Sequence, residues 1–190
     1  MSFDRDKVEA AIRVLIDGLG HPKNDPNILD TPQRVAAMFQ DILDGHDINP
    51  GQYIKCFPSD NKEMVIVRNV PFYSYCAHHL QPFYGKLTIA YLPGGSVIGL
   101  SKLIRIARTF AKRLQLQENL THEIAEFLHS AIPHCQGAAV SLRAEHMCMI
   151  VRGVKSYGAE TVTEKYCGDF NLRPELREQF RIHLSDQRGY

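Results

Sequence analysis

The chain has 190 residues, of which 44% are hydrophobic and 23% are charged, and its formal net charge is +1. A chain of this size can bury one sizeable core, and a charge so close to zero gives no reason to expect nucleic acid or an anionic membrane as a partner. The sequence has no apolar run near the roughly 20 residues that span a bilayer and no signal-peptide layout at its start, so we expect a cytoplasmic protein.

Helical periodicity marks the N-terminal part. Hydrophobic residues recur at a 3.6-residue period from Val8 to Leu19, and they do so again after Pro32. The run Asp30-Thr31-Pro32 is typical of a helix start, because a capping residue precedes proline in the first turn. We therefore predict a helical N-terminal arm over residues 1–60 and a separate domain over residues 61–190.

Strands and helices follow in pairs in the second region. Strands are predicted over residues 64–67 and 86–92, helices near Ser101 and near Asn119, and strands over residues 137–143 and 146–152, with a weaker strand near Thr161. This order favours an α+β fold, in which two helices cover one face of a four-stranded antiparallel sheet.

Two short clusters carry residue types that bind metal ions. Cys76 and His79 are three positions apart and can reach one ion while His78 points elsewhere, and Cys148 would add a third ligand. Three protein ligands leave a fourth tetrahedral position for water, as in catalytic zinc sites. Five cysteines are an odd number in a chain of this size, so reduced thiols are favoured over disulfides.

Side chains alternate along a strand, so the predicted strand over residues 146–152 places His146, Cys148 and Arg152 on one face. Taken singly, Cys148 fits a buried core cysteine and His146 fits an edge histidine. The second cluster of the same residue types favours the metal site.

A basic helix start is the next chemical feature. Lys102 and Arg105 lie in a first turn that disfavours cations, so that a phosphate held by them and by Ser101 would offset the charge. A solvated basic face explains the pattern equally well. Gln117 and Glu118 offer an amide and a carboxylate between two helices, although such a pair is usually a plain connection.

Four segments, residues 72–86, 97–106, 116–121 and 146–154, resemble the motifs of GTP cyclohydrolase I. The similarity runs from about Val8, through residues 30–35, to about Phe170. It implies the tunnelling fold, and it implies a homo-oligomer, a decamer of two stacked pentamers with active sites at subunit interfaces. It also implies the conversion of GTP to 7,8-dihydroneopterin triphosphate with release of formate.

The resemblance implies a role for each matching residue. Zn²⁺ would be held by Cys76, His79 and Cys148, and the acid/base histidines would be His78 and His146. The guanine edge would be bound by Gln117 and Glu118. The triphosphate would face the catalytic-site residue Ser101 together with Lys102, Arg105, Arg152 and Arg34, the last from a neighbouring subunit.

The sequence departs from the bacterial family pattern at Ala77, Ala37 and Ala159, none of which removes a zinc ligand or an acid/base histidine. Two alternatives stay open at this point. One is a catalytically silent zinc- and purine-binding protein of the same fold. The other is a related enzyme such as the nitrile reductase of queuosine synthesis, whose nucleophilic cysteine motif is not apparent here.

Overall fold

The structure, a computed structural model, describes residues 3–22 and 24–185. The helices of this part are α1 (Arg5–Gly18), α2 (Thr31–Ile42), α3 (Leu100–Ala111), α4 (Gln117–Ala131), α5 (Met147–Ile150), α6 (Asp169–Leu172) and α7 (Pro174–Ser185). Its strands are β1 (Cys56–Pro58), β2 (Val65–Cys76), β3 (Pro82–Leu92), β4 (Ser96–Ile98), β5 (Leu114–Gln115), β6 (Gly137–His146) and β7 (Glu160–Gly168). None of the helices described is long and apolar enough to cross a membrane.

The main sheet has the strand order β5-β2-β3-β6-β7. Its four long strands pair antiparallel, which agrees with the α+β prediction. The two-residue strand β5, which the sequence did not predict, lies parallel to the end of β2 and pairs with Tyr75 and Cys76. The fourth long strand is β7, which corresponds to the weaker strand predicted near Thr161.

Helices α3 and α4 cover one face of this sheet, as the apolar periodicity predicts. In α3 the buried residues Leu103, Ile106, Ala107 and Phe110 recur at helical spacing, and they meet strand residues such as Leu87 in one core. Part of the opposite face is covered by α6 and α7, where Phe170 and Phe180 are fully buried. The sequence predicted helices on one face only, and the structure adds this second layer.

The strand predicted over residues 146–152 is wrong. Strand β6 ends at His146, opposite Phe83, and residues 147–150 form the single helical turn α5. Strand β3 begins only at Pro82, so beyond His146 almost no partner strand remains to accept backbone hydrogen bonds. A helical turn satisfies these groups within the segment, and the Val151 amide donates to the Met147 carbonyl at 3.0 Å. His146, Cys148 and Arg152 therefore do not share a strand face.

Strand β2 is longer than the predicted strand over residues 64–67. It continues to Cys76 through a register shift between Val67 and Val70, and within this irregularity Asn69 has a φ of 59°. Asn69 and Pro71 are typical of turns in sequence, but a bulge lets a strand accommodate them. The extension delivers Cys76 to the end of the sheet.

Helices α1 and α2, within the predicted arm, pack against each other. Strand β1, which lies in the predicted arm, pairs with β4, which lies in the predicted second domain. The boundary between residues 60 and 61 remains a prediction. The outer ends of the two predicted regions, residues 1–2 and 186–190, lie outside the described residues.

Candidate metal centre and active site

The first ligand cluster is built by a tight turn at the end of β2. The Cys76 carbonyl accepts hydrogen bonds from the amides of His79 (3.3 Å) and Leu80 (2.9 Å), and the Cys76 amide donates to the Gln81 carbonyl at 2.9 Å. Leu80 takes a left-handed φ of 52° to close this turn. The turn folds His79 back over Cys76.

The second cluster reaches the same place through sheet register. His146 lies opposite Phe83, and Tyr75, on the next strand, lies opposite Pro82. The last residues of β2 and β6 are thus separated only by the start of β3, and α5 follows at once with Cys148. Sheet pairing therefore brings together residues that are about 70 positions apart in the chain.

Cys76, His79 and Cys148 form a group that could hold a metal ion, with their ligand atoms all within 4.8 Å of one another. The Cys76 Sγ lies 3.9 Å from the His79 Nδ1. Bonds of about 2.0–2.3 Å to a tetrahedral zinc ion would draw such atoms to within about 4 Å, so only a small closure is needed. The residues predicted as ligands are therefore brought together.

The electrostatics of this group suit a cation. Burial raises the pKa of the Cys148 thiol, and the neighbouring Cys76 raises it further. A bound metal ion reverses this balance because it stabilises thiolates directly. Arg152 also lies at this site, where its Nη1 contacts the His79 Nε2 at 2.5 Å.

His78 stays outside the group of ligand atoms. Its ring is nearly perpendicular to that of His79, at 85°, with the two centroids 6.1 Å apart. The side chain is exposed on the turn. Only His79 of the two adjacent histidines is thus among the ligand atoms, and their different roles stay a prediction.

His146 is half-buried and precedes Cys148 by two residues. Its ring stacks parallel on Phe83 with centroids 4.7 Å apart, and its Nε2 lies 2.7 Å from the Gln117 Oε1. Burial lowers the pKa of His146, and the carboxylate of Glu118 offsets part of this effect by raising it. Glu118, exposed in the first turn of α4, therefore acts electrostatically on His146.

Comparison with known proteins decides the family. The GTP cyclohydrolase I family model matches residues 8–185. The chain belongs to this family. It is 45% identical to GTP cyclohydrolase 1 of Brevibacillus brevis, over 94% of this chain and 96% of that protein. It is 43% identical to GTP cyclohydrolase 1 of Carboxydothermus hydrogenoformans, over 97% of this chain and 96% of that one.

A solved structure, the archaeosine synthase QueF-Like in the apo form, is also similar to this chain. The TM-score is 0.43 at 16% identity, and the match covers 58% of this chain and 97% of that one. A likeness at this level carries no argument about fold or activity.

The residues predicted to bind triphosphate are not all brought to the metal group within one chain. Ser101, Lys102 and Arg105 lie in the first turns of α3. Just before α3, the Ile98 amide donates a hydrogen bond to the Tyr91 hydroxyl. Tyr91 pairs with Val65, the first residue of β2, so α3 begins at that end of the sheet. The metal group lies at the opposite end.

Helix α3 spans most of this separation. With 12 residues it is roughly 16–18 Å long, and soon after its C-terminus Gln115 pairs with Cys76. Arg34 lies elsewhere again, on α2, where it pairs with Asp30 at 3.3 Å. Among the predicted triphosphate cations, Arg152 contacts the metal group, through the His79 ring.

Gln117, which was predicted to bind the guanine edge, is buried inside the chain. Its side chain is 1% exposed, and its hydrogen-bonding groups are engaged by His146, Leu142, Thr161 and Thr163. Sequence reasoning missed the two threonines of this network, Thr121 and Thr163. Thr121 has a signal, since it lies four residues after Gln117 on one helix face, whereas nothing in the sequence connects Thr163 to it.

Proposed function

We propose that the protein is a zinc-dependent GTP cyclohydrolase I, which converts GTP to 7,8-dihydroneopterin triphosphate and releases formate. The observation that carries this proposal is the convergence of Cys76, His79 and Cys148 within 4.8 Å, beside His146, in a chain of this family. Two thiolates and one imidazole are ligands that suit zinc. When bound there, zinc supplies the means to activate water at neutral pH.

The two histidines would move protons. His78 is exposed on the turn beside the metal group, where a substrate nitrogen can reach its ring. His146 is half-buried, and burial lowers its pKa, so its neutral form is available to accept a proton. We therefore assign them as the acid/base pair of ring opening.

Glu118 is the residue we propose for guanine recognition. Its exposed carboxylate at the start of α4 can accept hydrogen bonds from the guanine N1–H and amino group together, and adenine offers no such donor pair. The amide of Gln117 was predicted to share this role, but its hydrogen bonds are made inside the chain. Specificity for guanine would thus depend mainly on Glu118.

We propose that each active site is shared between neighbouring copies of the chain, in a decamer of two stacked pentamers with the tunnelling fold. The separation of Ser101, Lys102 and Arg105 from the metal group along α3 supports this, because a second copy would have to supply these residues. The apolar side chains of α1 support it too, since Val14 and Leu15 are 73% and 55% exposed. Arg34 would likewise come from a neighbour.

Residues 61–190 would then be the catalytic domain and residues 1–60 a helical arm used in assembly. We keep the cytoplasm as the proposed compartment, because all five thiols are free and a reducing environment preserves them.

The direct test is turnover of GTP. Purified protein is incubated with GTP, and formate and the fluorescent oxidised pterin are measured, with ATP as the control nucleotide. We expect equimolar formate and pterin from GTP and neither product from ATP. Zinc retention and GTP binding without formate release would contradict the enzyme and support the silent binding protein instead.

A further inference from the structure

The amide of Gln117 is held in one orientation by acceptors that cannot donate. Its Nε2 lies 3.2 Å from the Leu142 carbonyl and 3.0 Å from the Thr161 carbonyl. A carbonyl oxygen only accepts hydrogen bonds, so the nitrogen end of the amide must face these two groups. The oxygen end therefore faces His146.

Two threonine hydroxyls extend this ordering. The Thr121 hydroxyl donates to the backbone carbonyl of Gln117 at 2.7 Å, which uses its single proton. In the 2.6 Å contact between the two hydroxyls, Thr163 is then the donor and Thr121 the acceptor. The Thr163 oxygen is thus free to accept from the Gln117 Nε2 at 3.1 Å. Each hydrogen bond of this network therefore has a fixed donor and a fixed acceptor.

The hydrogen-bond network ends at the His146 ring. The Gln117 Oε1 lies 2.7 Å from the His146 Nε2 and can only accept, so the Nε2 must carry a proton. In the neutral ring the lone pair is then on Nδ1. Phe83, stacked parallel on the imidazole, restricts rotation of the ring away from this contact.

We propose that Gln117 is a positioning residue that holds His146 in its Nε2–H tautomer, so that Nδ1 is the atom that exchanges protons with the substrate. This inference rests on the proposed function, in which His146 is an acid/base residue. A proton taken from the substrate at Nδ1 gives an imidazolium that still donates its Nε2–H to Gln117. Return of that proton to the substrate restores the neutral ring, and the contact persists throughout.

The experiment compares the same substitution at two buried glutamines. Gln117→Met removes the acceptor from His146 with little change in volume. Gln115→Met is the matched control, because the Gln115 amide is also buried and bonded, to the Phe110 carbonyl and Glu123, but does not touch His146. Histidine tautomers are read from long-range ¹H–¹⁵N correlation spectra of ¹⁵N-labelled protein, and the His146 signals are identified by their loss in His146→Ala.

We expect the parent and Gln115→Met to show the Nε2–H pattern alone and Gln117→Met to show both tautomers. We also expect kcat with GTP to fall at least about tenfold in Gln117→Met while KM changes less than about threefold, since binding is untouched. In Gln115→Met both constants should stay within about twofold of the parent.

An Nδ1–H pattern for His146 in the parent would overturn the proposal, whether or not Gln117→Met folds. Retention of the pure Nε2–H pattern or of full kcat in Gln117→Met would overturn it as well. The spectra need no turnover, so a parent that releases no formate would count against the proposed function and would be distinguishable from a wrong tautomer.

Discussion

Cys148 is one of three residues that could hold the metal ion, so its loss should strongly weaken metal binding. It is the ligand that α5 brings to the turn holding Cys76 and His79, and two ligands alone bind zinc far less tightly than three. We expect Cys148→Ser to lower zinc affinity at least about 100-fold and to abolish formate release. Cys56→Ser, a partly buried cysteine outside the group, is the control and should keep its zinc. Metal analysis after dialysis measures both, and equal zinc content in the two variants would contradict the assignment.

The adjacent histidines make a second prediction at this scale. His79 contributes to the metal group, whereas His78 is not part of it. His78→Ala should therefore keep its zinc and lose at least about 100-fold in kcat, because a proton-transfer group is removed. His79→Ala should lose zinc. The reverse pattern of metal content would exchange the two roles.

Among single residues, spacing in the sequence was enough to predict that Cys76 and His79 come together, whereas Cys148 reaches them from α5 and not from the predicted strand. Cys76 and His79 are close in the chain, so their shared turn follows from local geometry. The surroundings of Gln117 could not be predicted in the same way, because its partners Leu142 and Thr161 come from strands far along the chain. Which polar groups meet at a buried amide depends on register across the sheet.

Among the elements, the close pairing of β3 with β6 positions the site. A Cβ added at Gly85 would lie 1.9 Å from the Arg143 carbonyl oxygen. Gly85 pairs with Ala144, two positions along the strands from the Phe83–His146 pair. We expect Gly85→Ala to lower the free energy of unfolding by about 1–3 kcal/mol, because the strands must move apart. It should also weaken zinc binding, since His146 and Cys148 follow directly.

Gly18→Ala is the matched control for Gly85→Ala. The added Cβ would meet nothing within 4 Å at the end of α1, so stability should be unchanged or slightly higher. Chemical denaturation and zinc titration of both variants give the comparison. Equal stability of the two variants would show that the β3–β6 contact does not constrain the site.

Secondary structure was predictable where periodicity was strong and uncertain where a strand ended. The apolar spacing of α3 and α4 predicted both helices. The alternation from His146 onward looked like a strand, but it could not show that β3 starts at Pro82 and leaves no partner beyond His146. Whether a short segment extends a sheet depends on a neighbour that its own sequence does not contain.

For the whole molecule, we predict an active site that is shared between copies of the chain. Cys148→Ser removes a metal ligand, and Lys102→Ala removes a triphosphate cation at the opposite end of the sheet. Each should be inactive alone. Co-assembled in equal amounts, they should recover about a quarter of the parent activity, because about one interface in four pairs an intact metal group with an intact α3 start.

The control mixture is Cys148→Ser with Cys76→Ser. Both changes lie in the same metal group, so no interface in that mixture is complete and no activity should return. Activity in the first mixture no greater than the sum of its separate variants would contradict a shared site, and would place the triphosphate within one chain.

Titration of metal-free protein with zinc tests whether one metal ion held by Cys76, His79 and Cys148 supports the opening of GTP. Formate release from GTP is measured at each addition. We expect no formate before zinc is added and a linear rise that ends at about one zinc per chain. Full formate release by the metal-free protein would contradict it.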